Sequence, residues 1–281
     1  MQNLSVGFLG AGSMGTAVLR GLVAKSHPVQ LLSASTRSEE SAKSLRLSGI
    51  TAYSLEASSD ANQRLLLGAE AIVLGVKPYQ VVELLQQLTP LWREGQQLVS
   101  MVAGVTVQTL QALVPSTVEV VRTMPNTPSQ IGSGVTGIVV DQTSESALQA
   151  ARYIFGAVGS VVECRESQLD WLSAISGSGP AYVFYLVEKL EEIAKAQGFS
   201  SDQARVLVRE TISGAMALLA TQDLPPQELR RRVTSPNGTT ERAIAHFDEA
   251  DLPDILRIAL AEAVARAGEI AQEQSQRAGL G

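Results

Sequence analysis

The chain has 281 residues, of which 45% are apolar, 18% charged and 4% aromatic, a composition typical of folded globular proteins and not of disordered chains. Its 22 basic and 28 acidic residues give a net charge of −6, which disfavours nucleic acid as the main partner. At roughly 150 residues per domain, this length predicts two domains, each with its own hydrophobic core.

The single cysteine, Cys164, excludes an internal disulfide and lacks metal-binding spacing, so no metal site is predicted. The first residues do not form the charged and apolar pattern of a secretion signal. Nor does any run of about 18 apolar residues occur, which disfavours a membrane span. We therefore expect a cytoplasmic protein.

From Val6 onward, short apolar runs alternate with amphipathic stretches. The predicted strands are the runs VGFL, VQLLSA, AIVLGV, QLVSMV, VEVV, GVTGIVV and SVV, and a helix is predicted from Met14 to Val23. This alternation is typical of βαβ units, and the runs at 71–76 and 97–102 are apolar throughout, as in strands covered on both faces. The sequence predicts an α/β domain with a parallel sheet over residues 1–164.

Beyond about Glu166 the strand signals stop, and Ala, Leu and Glu recur at helical spacing. One long helix is predicted within Leu252 to Ala278. Another, from Leu169 to Ala196, contains SGSGP at 176–180, whose glycines and proline should bend or break it. Residues 165–281 are thus predicted to form an all-helical domain. Because its helices are apolar on several faces, we expect a partner subunit to cover them.

A glycine motif, GAGSMG, directly follows the first predicted strand and directly precedes the first predicted helix. Gly10 would make the tight turn, Gly12 would let the backbone approach a pyrophosphate, and Gly15 would allow close packing of helix on strand. Isolated strings of this kind are common, and a plain glycine-rich turn is the alternative. The strand before and the helix after it favour a Rossmann-like dinucleotide site.

About twenty residues after Gly15, the second predicted strand ends in Ser35, Thr36 and Arg37. Enzymes that use NAD place an acidic residue here, on the ribose 2′-hydroxyl. Two hydroxyls and a guanidinium suit a 2′-phosphate instead, which favours NADPH. The alternative is that Arg37 is an exposed loop residue without a ligand.

Three later segments follow predicted strands and so fall at the carboxyl ends that line a cofactor crevice. They are Val76 and Lys77 before a proline, AGVT at 103–106, and RTMPNTP at 122–128. Lys77 is predicted to contact cofactor or substrate, unless it is a solvated loop lysine. The two later segments are predicted to lie at the nicotinamide.

The segment Val233 to Asp248, VTSPNGTTERAIAHFD, predicts a turn that leads into an amphipathic helix capped by Ser235, Asn237 or Gly238. Amides near Gly238 would point outward, and with the helix dipole they would form a small anion site suited to a substrate carboxylate. An ordinary helix cap without a ligand is the alternative.

These motifs together resemble those of the pyrroline-5-carboxylate reductases, NADPH-dependent enzymes that make proline. The resemblance spans nearly the whole chain, and its most specific part runs from Pro226 through VTSPNGTT to Asp248. GAGSMG, VKP, AGVT, MPNTP and SGSGPAY stand in the family's order. One departure is Asn237, where many members have a second glycine. The resemblance implies reduction of 1-pyrroline-5-carboxylate to L-proline with NADPH, and weaker use of NADH.

The resemblance also implies which residues form the site. Cofactor contacts fall on Gly10, Ala11, Gly12, Ser13, Met14, Gly15, Ser35, Thr36, Arg37, Asn62, Val76, Lys77, Ala103 and Gly104. Substrate contacts fall on Glu166, Ser235, Gly238, Thr239 and Thr240. We expect catalysis to depend on Thr240, whose hydroxyl can reach the ring nitrogen of the substrate. The family's helical domain interleaves with that of a second subunit, which implies a homodimer and, in larger rings, a decamer.

Two other functions stay open. A hydroxyacid dehydrogenase of the related two-domain kind would need a catalytic lysine in the helical domain, where only Lys189 and Lys195 lie. A non-catalytic NADPH-binding regulator would keep GAGSMG but reduce no imine. Both histidines are predicted to be non-catalytic, because His27 lies in a polar turn and His246 has no second ligand nearby.

Overall fold

A computed structural model of the chain describes Met1 and residues 3–280. Eight strands form one sheet in the order β3-β2-β1-β4-β5-β6-β7-β8. Their bounds are β1 Val6–Leu9, β2 Leu32–Thr36, β3 Thr51–Ser54, β4 Ala71–Leu74, β5 Gln97–Ser100, β6 Glu119–Met124, β7 Gly134–Val139 and β8 Gly159–Cys164. The Rossmann-like prediction is confirmed, although the short edge strand β3 has no apolar run and was missed.

Strand pairing is parallel at every step of the sheet except between β6 and β7, which are antiparallel. The predicted parallel sheet is confirmed at the other six pairs, and the β6–β7 pair is the exception. Only residues 125–133 connect the two strands, and a parallel crossover needs a dozen residues or more. The chain therefore turns back on itself after Met124.

Helices cover both faces of the sheet. In the first part of the chain they are α1 Ser13–Ala24, α2 Glu39–Leu47, α3 Ala61–Gly68, α4 Val81–Leu88, α5 Val107–Ala112 and α6 Glu145–Gly156. Successive strand residues point to opposite faces, so Val73 packs in one cluster with Leu19 of α1, while Ile72 packs in the other with Leu85 of α4. The strands are continuous apolar runs because both of their faces are buried in this way.

The rest of the described chain is helical, as predicted. The helices are α7 Glu166–Leu172, α8 Gly179–Ala196, α9 Ser201–Thr221, α10 Pro226–Arg232, α11 Thr239–Glu249 and α12 Leu252–Arg277. The predicted interruption at SGSGP is a π-helical turn, Ser173–Gly177, between α7 and α8. The side chain of Asn126 donates to the Ser176 carbonyl at 3.0 Å and so ties this turn to the loop after β6.

The chain divides into two compact units. We call Met1–Ser178 together with the segment from Glu262 the sheet unit, and Gly179–Ala261 the helical unit. This division differs from the predicted boundary between residues 164 and 165. The reason is packing, because Leu169 of α7 joins a cluster with Val107, and Ala278 after α12 packs on the cluster that holds α4 and α5. Among the described helices, none is both long and apolar enough to cross a membrane.

Candidate active site

The glycine motif forms a tight turn between β1 and α1. Gly10 adopts a left-handed φ of 79°, which favours glycine, and its amide donates to the Ser35 hydroxyl at 3.2 Å. The Ala11 amide donates to the Ser35 carbonyl at 2.8 Å. A Cβ on Gly12 would project into open space, and within the described residues no side chain caps α1. The amides of the turn itself are thus bonded internally, and it is the first amides of α1 that helix geometry leaves without carbonyl partners, as an anion site requires.

An open cavity of about 820 Å³ lies along this turn. Nine predicted cofactor residues line it: Gly10, Ala11, Gly12, Ser35, Thr36, Arg37, Asn62, Val76 and Lys77. Sequence reasoning missed other lining residues, among them Ser38 and Ser41 near Arg37, and Gln80, Glu83 and Gln87 at and within α4. Ser38 was recognisable as a helix cap because two glutamates follow it, but a cap motif does not indicate a ligand.

Ser35 and Thr36 use their hydroxyls inside the protein. Both residues are buried, and the Thr36 hydroxyl donates to the Ser38 carbonyl at 2.9 Å while Ser35 holds the glycine turn. Arg37 is exposed and forms no ion pair with any described residue. The exposed polar side chains at this end of the cavity are therefore Arg37 and Ser41, while the Ser38 hydroxyl caps α2 and donates to Ser41.

Val76 and Lys77 follow β4 on the other side of the turn. A Cβ on Gly10 would lie 2.7 Å from a Val76 methyl, so the missing side chain allows these two loops to approach each other. The Lys77 amide donates to the Gln80 side chain at 3.2 Å, which fixes the start of the next helical segment. Asn62, on α3, is half-buried in the wall of the same cavity.

Five of the predicted cofactor residues do not line the cavity: Ser13, Met14, Gly15, Ala103 and Gly104. The Ser13 hydroxyl accepts a hydrogen bond from the Gln130 side chain at 3.0 Å. Gly104 is buried with a φ of 70°, and a Cβ there would overlap the side chain of Ile270 on α12. Ala103 beside it is exposed. Packing against α12 thus explains the glycine at 104.

Glu166, predicted to contact substrate, belongs to a charged network in the sheet unit. Its Oε1 lies 3.0 Å from Nη1 of Arg122, a side chain that is only 6% exposed. Nη2 of the same guanidinium lies 3.7 Å from Asp170. The Glu166 amide donates to Asp141 at 2.6 Å, so both the backbone and the carboxylate of this residue are held.

The other predicted substrate residues, Ser235, Gly238, Thr239 and Thr240, lie in the helical unit at the start of α11. Gly238 is the N-cap residue and donates to the Ser235 carbonyl at 3.0 Å. Asn237 has a left-handed φ of 59°, a conformation that asparagine tolerates better than most residues. Within the described chain no side chain caps α11, and helix geometry leaves its first amides without carbonyl partners. An anion can therefore bind there.

Neither histidine is arranged for catalysis. His27 directly follows the predicted polar turn at Lys25 and Ser26, but its side chain is buried, and its Nδ1 lies 2.8 Å from the Tyr153 hydroxyl. Desolvation on burial lowers its pKa. His246 is exposed and lies 3.6 Å from Glu249. In the helical unit, Lys189 pairs with Glu188 and Glu192, which raises its pKa and favours the charged form.

Comparison with known proteins gives similarity over the whole chain. Residues 166–270 match the family model for pyrroline-5-carboxylate reductase dimerisation, and residues 5–104 match that for NADP oxidoreductase, coenzyme F420-dependent. The pyrroline-5-carboxylate reductase of Pseudomonas aeruginosa is 34% identical, over 98% of this chain and 100% of that protein.

Two solved structures extend the similarity to three dimensions. A pyrroline-5-carboxylate reductase from Coxiella burnetii has a TM-score of 0.87 and 30% identity, covering 96% of this chain and 99% of that one. A pyrroline carboxylate reductase from Plasmodium falciparum, solved with NADP bound, has a TM-score of 0.83 and 26% identity, with the same coverage.

Proposed function

The chain belongs to the pyrroline-5-carboxylate reductase family, and from that premise we propose that it reduces 1-pyrroline-5-carboxylate to L-proline with NADPH, the last step of proline synthesis. The observation that carries this proposal is the cavity along the glycine turn, which is lined by Gly12, directly before the uncapped start of α1, and by the Arg37 side chain. Full-length similarity to reductases of this substrate supports it.

The cavity fits NADPH in shape and in charge. Gly12 leaves open space where a Cβ would project, so a pyrophosphate can approach the first amides of α1. Arg37 can form a two-pronged bond with a 2′-phosphate, and Ser38 and Ser41 lie beside it. Asn62 and Lys77 would line the part of the cavity between the 2′-phosphate and the pyrophosphate. The bound cofactor supplies the hydride, and the protein positions the groups around it.

The substrate would bind through its carboxylate at the start of α11. The amides of Thr239 and Thr240 and the helix dipole favour an anion there, and the Thr240 hydroxyl would bond to the ring nitrogen. The imine enters with its nitrogen already protonated by solvent. When the ring carbon accepts hydride, the C=N π electrons become the lone pair of the product amine. Because no enzyme acid is required, hydroxyls and amides are sufficient, and positioning dominates catalysis.

The paired Lys189 argues against the hydroxyacid dehydrogenase. Two carboxylates hold its ammonium group in the charged form on the partly exposed surface of α8, so it is poorly suited to donate a proton to a carbonyl oxygen. Lys195 lies at the end of the same helix, outside any glycine-rich motif.

We also propose that the assembled form is a homodimer, in which the helical units of two subunits cover each other, and that dimers associate into a decamer. The match to a dimerisation domain supports an oligomer. The cytoplasm stays the predicted location.

The test is NADPH oxidation by the purified protein with synthetic 1-pyrroline-5-carboxylate, with proline identified as the product. Tight NADPH binding without turnover of the imine would favour the non-catalytic regulator. Turnover of a 2-hydroxy acid with NADP⁺ would favour the dehydrogenase.

A further inference from the structure

Arg122 on β6 is the most enclosed charged side chain near the predicted site. The residue is 5% exposed, and its Nε has no hydrogen-bond partner among the described residues. Burying a guanidinium is costly unless carboxylates offset its charge, and Glu166 at 3.0 Å is the nearer of its two. Arg122 therefore fixes where the Glu166 carboxylate lies.

The same carboxylate oxygen makes a second bond, to the start of α5. Glu166 Oε1 accepts a hydrogen bond from the Val107 amide at 2.8 Å, and Val107 is the first residue of that helix. The Thr106 hydroxyl caps the helix by accepting from the Thr109 amide at 3.1 Å. Two side chains thus fix the start of α5. One is Thr106, directly before the helix, and the other is Glu166 of α7, 59 residues after Val107.

The loop 101–106, which leads into Val107, packs against the glycines beside the cavity. Met101, its first residue, places its terminal methyl where a Cβ on Gly75 would lie, and 3.5 Å from where a Cβ on Gly15 would lie. A shift of Val107 would therefore move a loop that supports the cavity wall, since close-packed interiors transmit such displacements.

We propose that Glu166 is a positioning residue for the loop 101–106, acting through the Val107 amide under the control of Arg122. This inference rests on the proposed function, because it assigns the loop to the nicotinamide end of the cofactor site. It differs from a role in substrate contact, since the oxygen that Arg122 orients is already bonded to the backbone of α5.

The structure provides a matched control in Asp170. Both carboxylates face the Arg122 guanidinium, but only Glu166 bonds to Val107. The experiment compares Glu166→Ala, Asp170→Ala and Arg122→Met in the full-length protein, with Glu166→Gln as the conservative variant that retains an oxygen acceptor. Amide hydrogen exchange across residues 101–107 is measured without ligand, and NADPH affinity is measured by fluorescence titration.

We expect Glu166→Ala and Arg122→Met to speed exchange in residues 101–107 by roughly tenfold or more, the effect of losing one charge-assisted hydrogen bond. We also expect both to weaken NADPH binding and to lower kcat. Asp170→Ala should leave exchange close to wild type, and Glu166→Gln should recover most of the protection. Unchanged exchange and NADPH affinity in Glu166→Ala, with only a raised KM for the imine, would overturn the proposal in favour of a substrate contact.

Arg122→Met removes a buried charge and can fail to fold, but Glu166→Ala and Glu166→Gln decide the question without it. Exchange and NADPH binding require no turnover. A wild-type protein that reduces no pyrroline-5-carboxylate would therefore contradict the proposed function and leave this test intact.

Discussion

The sheet unit and the helical unit differ sharply in how they bury apolar side chains. The sheet unit holds three clusters of buried residues on and beside its sheet. In the helical unit, among the described residues, only Ala204 and Val208 are buried, while Phe184, Tyr185 and Leu207 are largely exposed. Apolar patches of this extent are rare on monomers. The sheet unit can fold around its own core, whereas the helical unit needs a partner to cover it.

The largest expected effect comes from placing a charge on the exposed apolar face of the helical unit. Phe184 is 67% exposed, and Phe184→Asp should dissociate the assembly at a cost of roughly 2–4 kcal/mol, the range for an aromatic residue central to an interface. Leu47→Asp is the control, because Leu47 is 90% exposed on α2 of the sheet unit, and it should change stability by less than about 0.5 kcal/mol.

Light scattering of dilute protein and thermal melting measure both variants. If Phe184→Asp remained assembled with the wild-type Tm, the exposed face of α8 would not be an interface. A folded, active wild-type monomer would show that the helical unit, like the sheet unit, needs no partner to cover its apolar side chains.

A smaller effect, confined to the sheet unit, is expected at the cofactor cavity. Arg37→Asp should shift the ratio of kcat/KM for NADPH over NADH toward NADH by roughly 1–3 kcal/mol, because a charge-assisted bond to the 2′-phosphate is lost and repulsion is added. Arg20→Asp makes the same charge change on the exposed side of α1, outside the cavity, and should leave the ratio unchanged. Equal shifts in both variants would show that only overall charge matters.

A comparable or smaller effect is expected in the helical unit, on the substrate side. Thr240→Val keeps the side-chain shape and removes the hydroxyl, so kcat/KM for the imine should fall by roughly 1–3 kcal/mol while NADPH affinity stays unchanged. Thr211→Val is the control, because the Thr211 hydroxyl bonds to the Leu207 carbonyl within α9. Wild-type kcat/KM in Thr240→Val would reduce Thr240 to a helix-cap residue.

The smallest effect concerns the pH dependence of the sheet unit's stability. Burial lowers the pKa of His27 below its usual 6.5. The unfolded chain therefore takes up a proton at a higher pH than the folded one, and the free energy of unfolding should decrease as the pH falls below about 6.5. His27→Gln should flatten this slope between pH 7 and pH 5, measured as the free energy of unfolding by chemical denaturation at each pH. Identical slopes in the variant and the wild-type protein would exclude His27 as the cause.

Local patterns in the sequence predicted most of the sheet and the cofactor turn. Continuous apolar runs indicated strands buried on both faces, and GAGSMG between a strand and a helix indicated the turn that Gly10 makes. These features depend on residues close together in the chain. The break at SGSGP was predictable for the same reason, because glycine and proline disrupt a helix locally.

Contacts between distant residues were not predictable. The Ser35 hydroxyl, predicted to lie at a 2′-phosphate, accepts a hydrogen bond from the Gly10 amide, 25 residues earlier, and no local pattern indicates this contact. The bond from Arg122 to Glu166 joins residues 44 apart in sequence. Gly104 is explained only by Ile270, which comes 166 positions later.

The position of the last helix determines when the chain can finish folding during its synthesis. Ile270 and Ala278 complete packing around Gly104 and the α4–α5 cluster, which the chain begins to lay down before residue 120. While the chain emerges from the ribosome, the surface around Gly104 and the α4–α5 cluster therefore stays uncovered until the whole helical unit has been made. Folding of this protein in the cell should finish late, and frameshifts or stop codons that remove only the final turns of α12 should yield chains that are recognised by quality-control proteases.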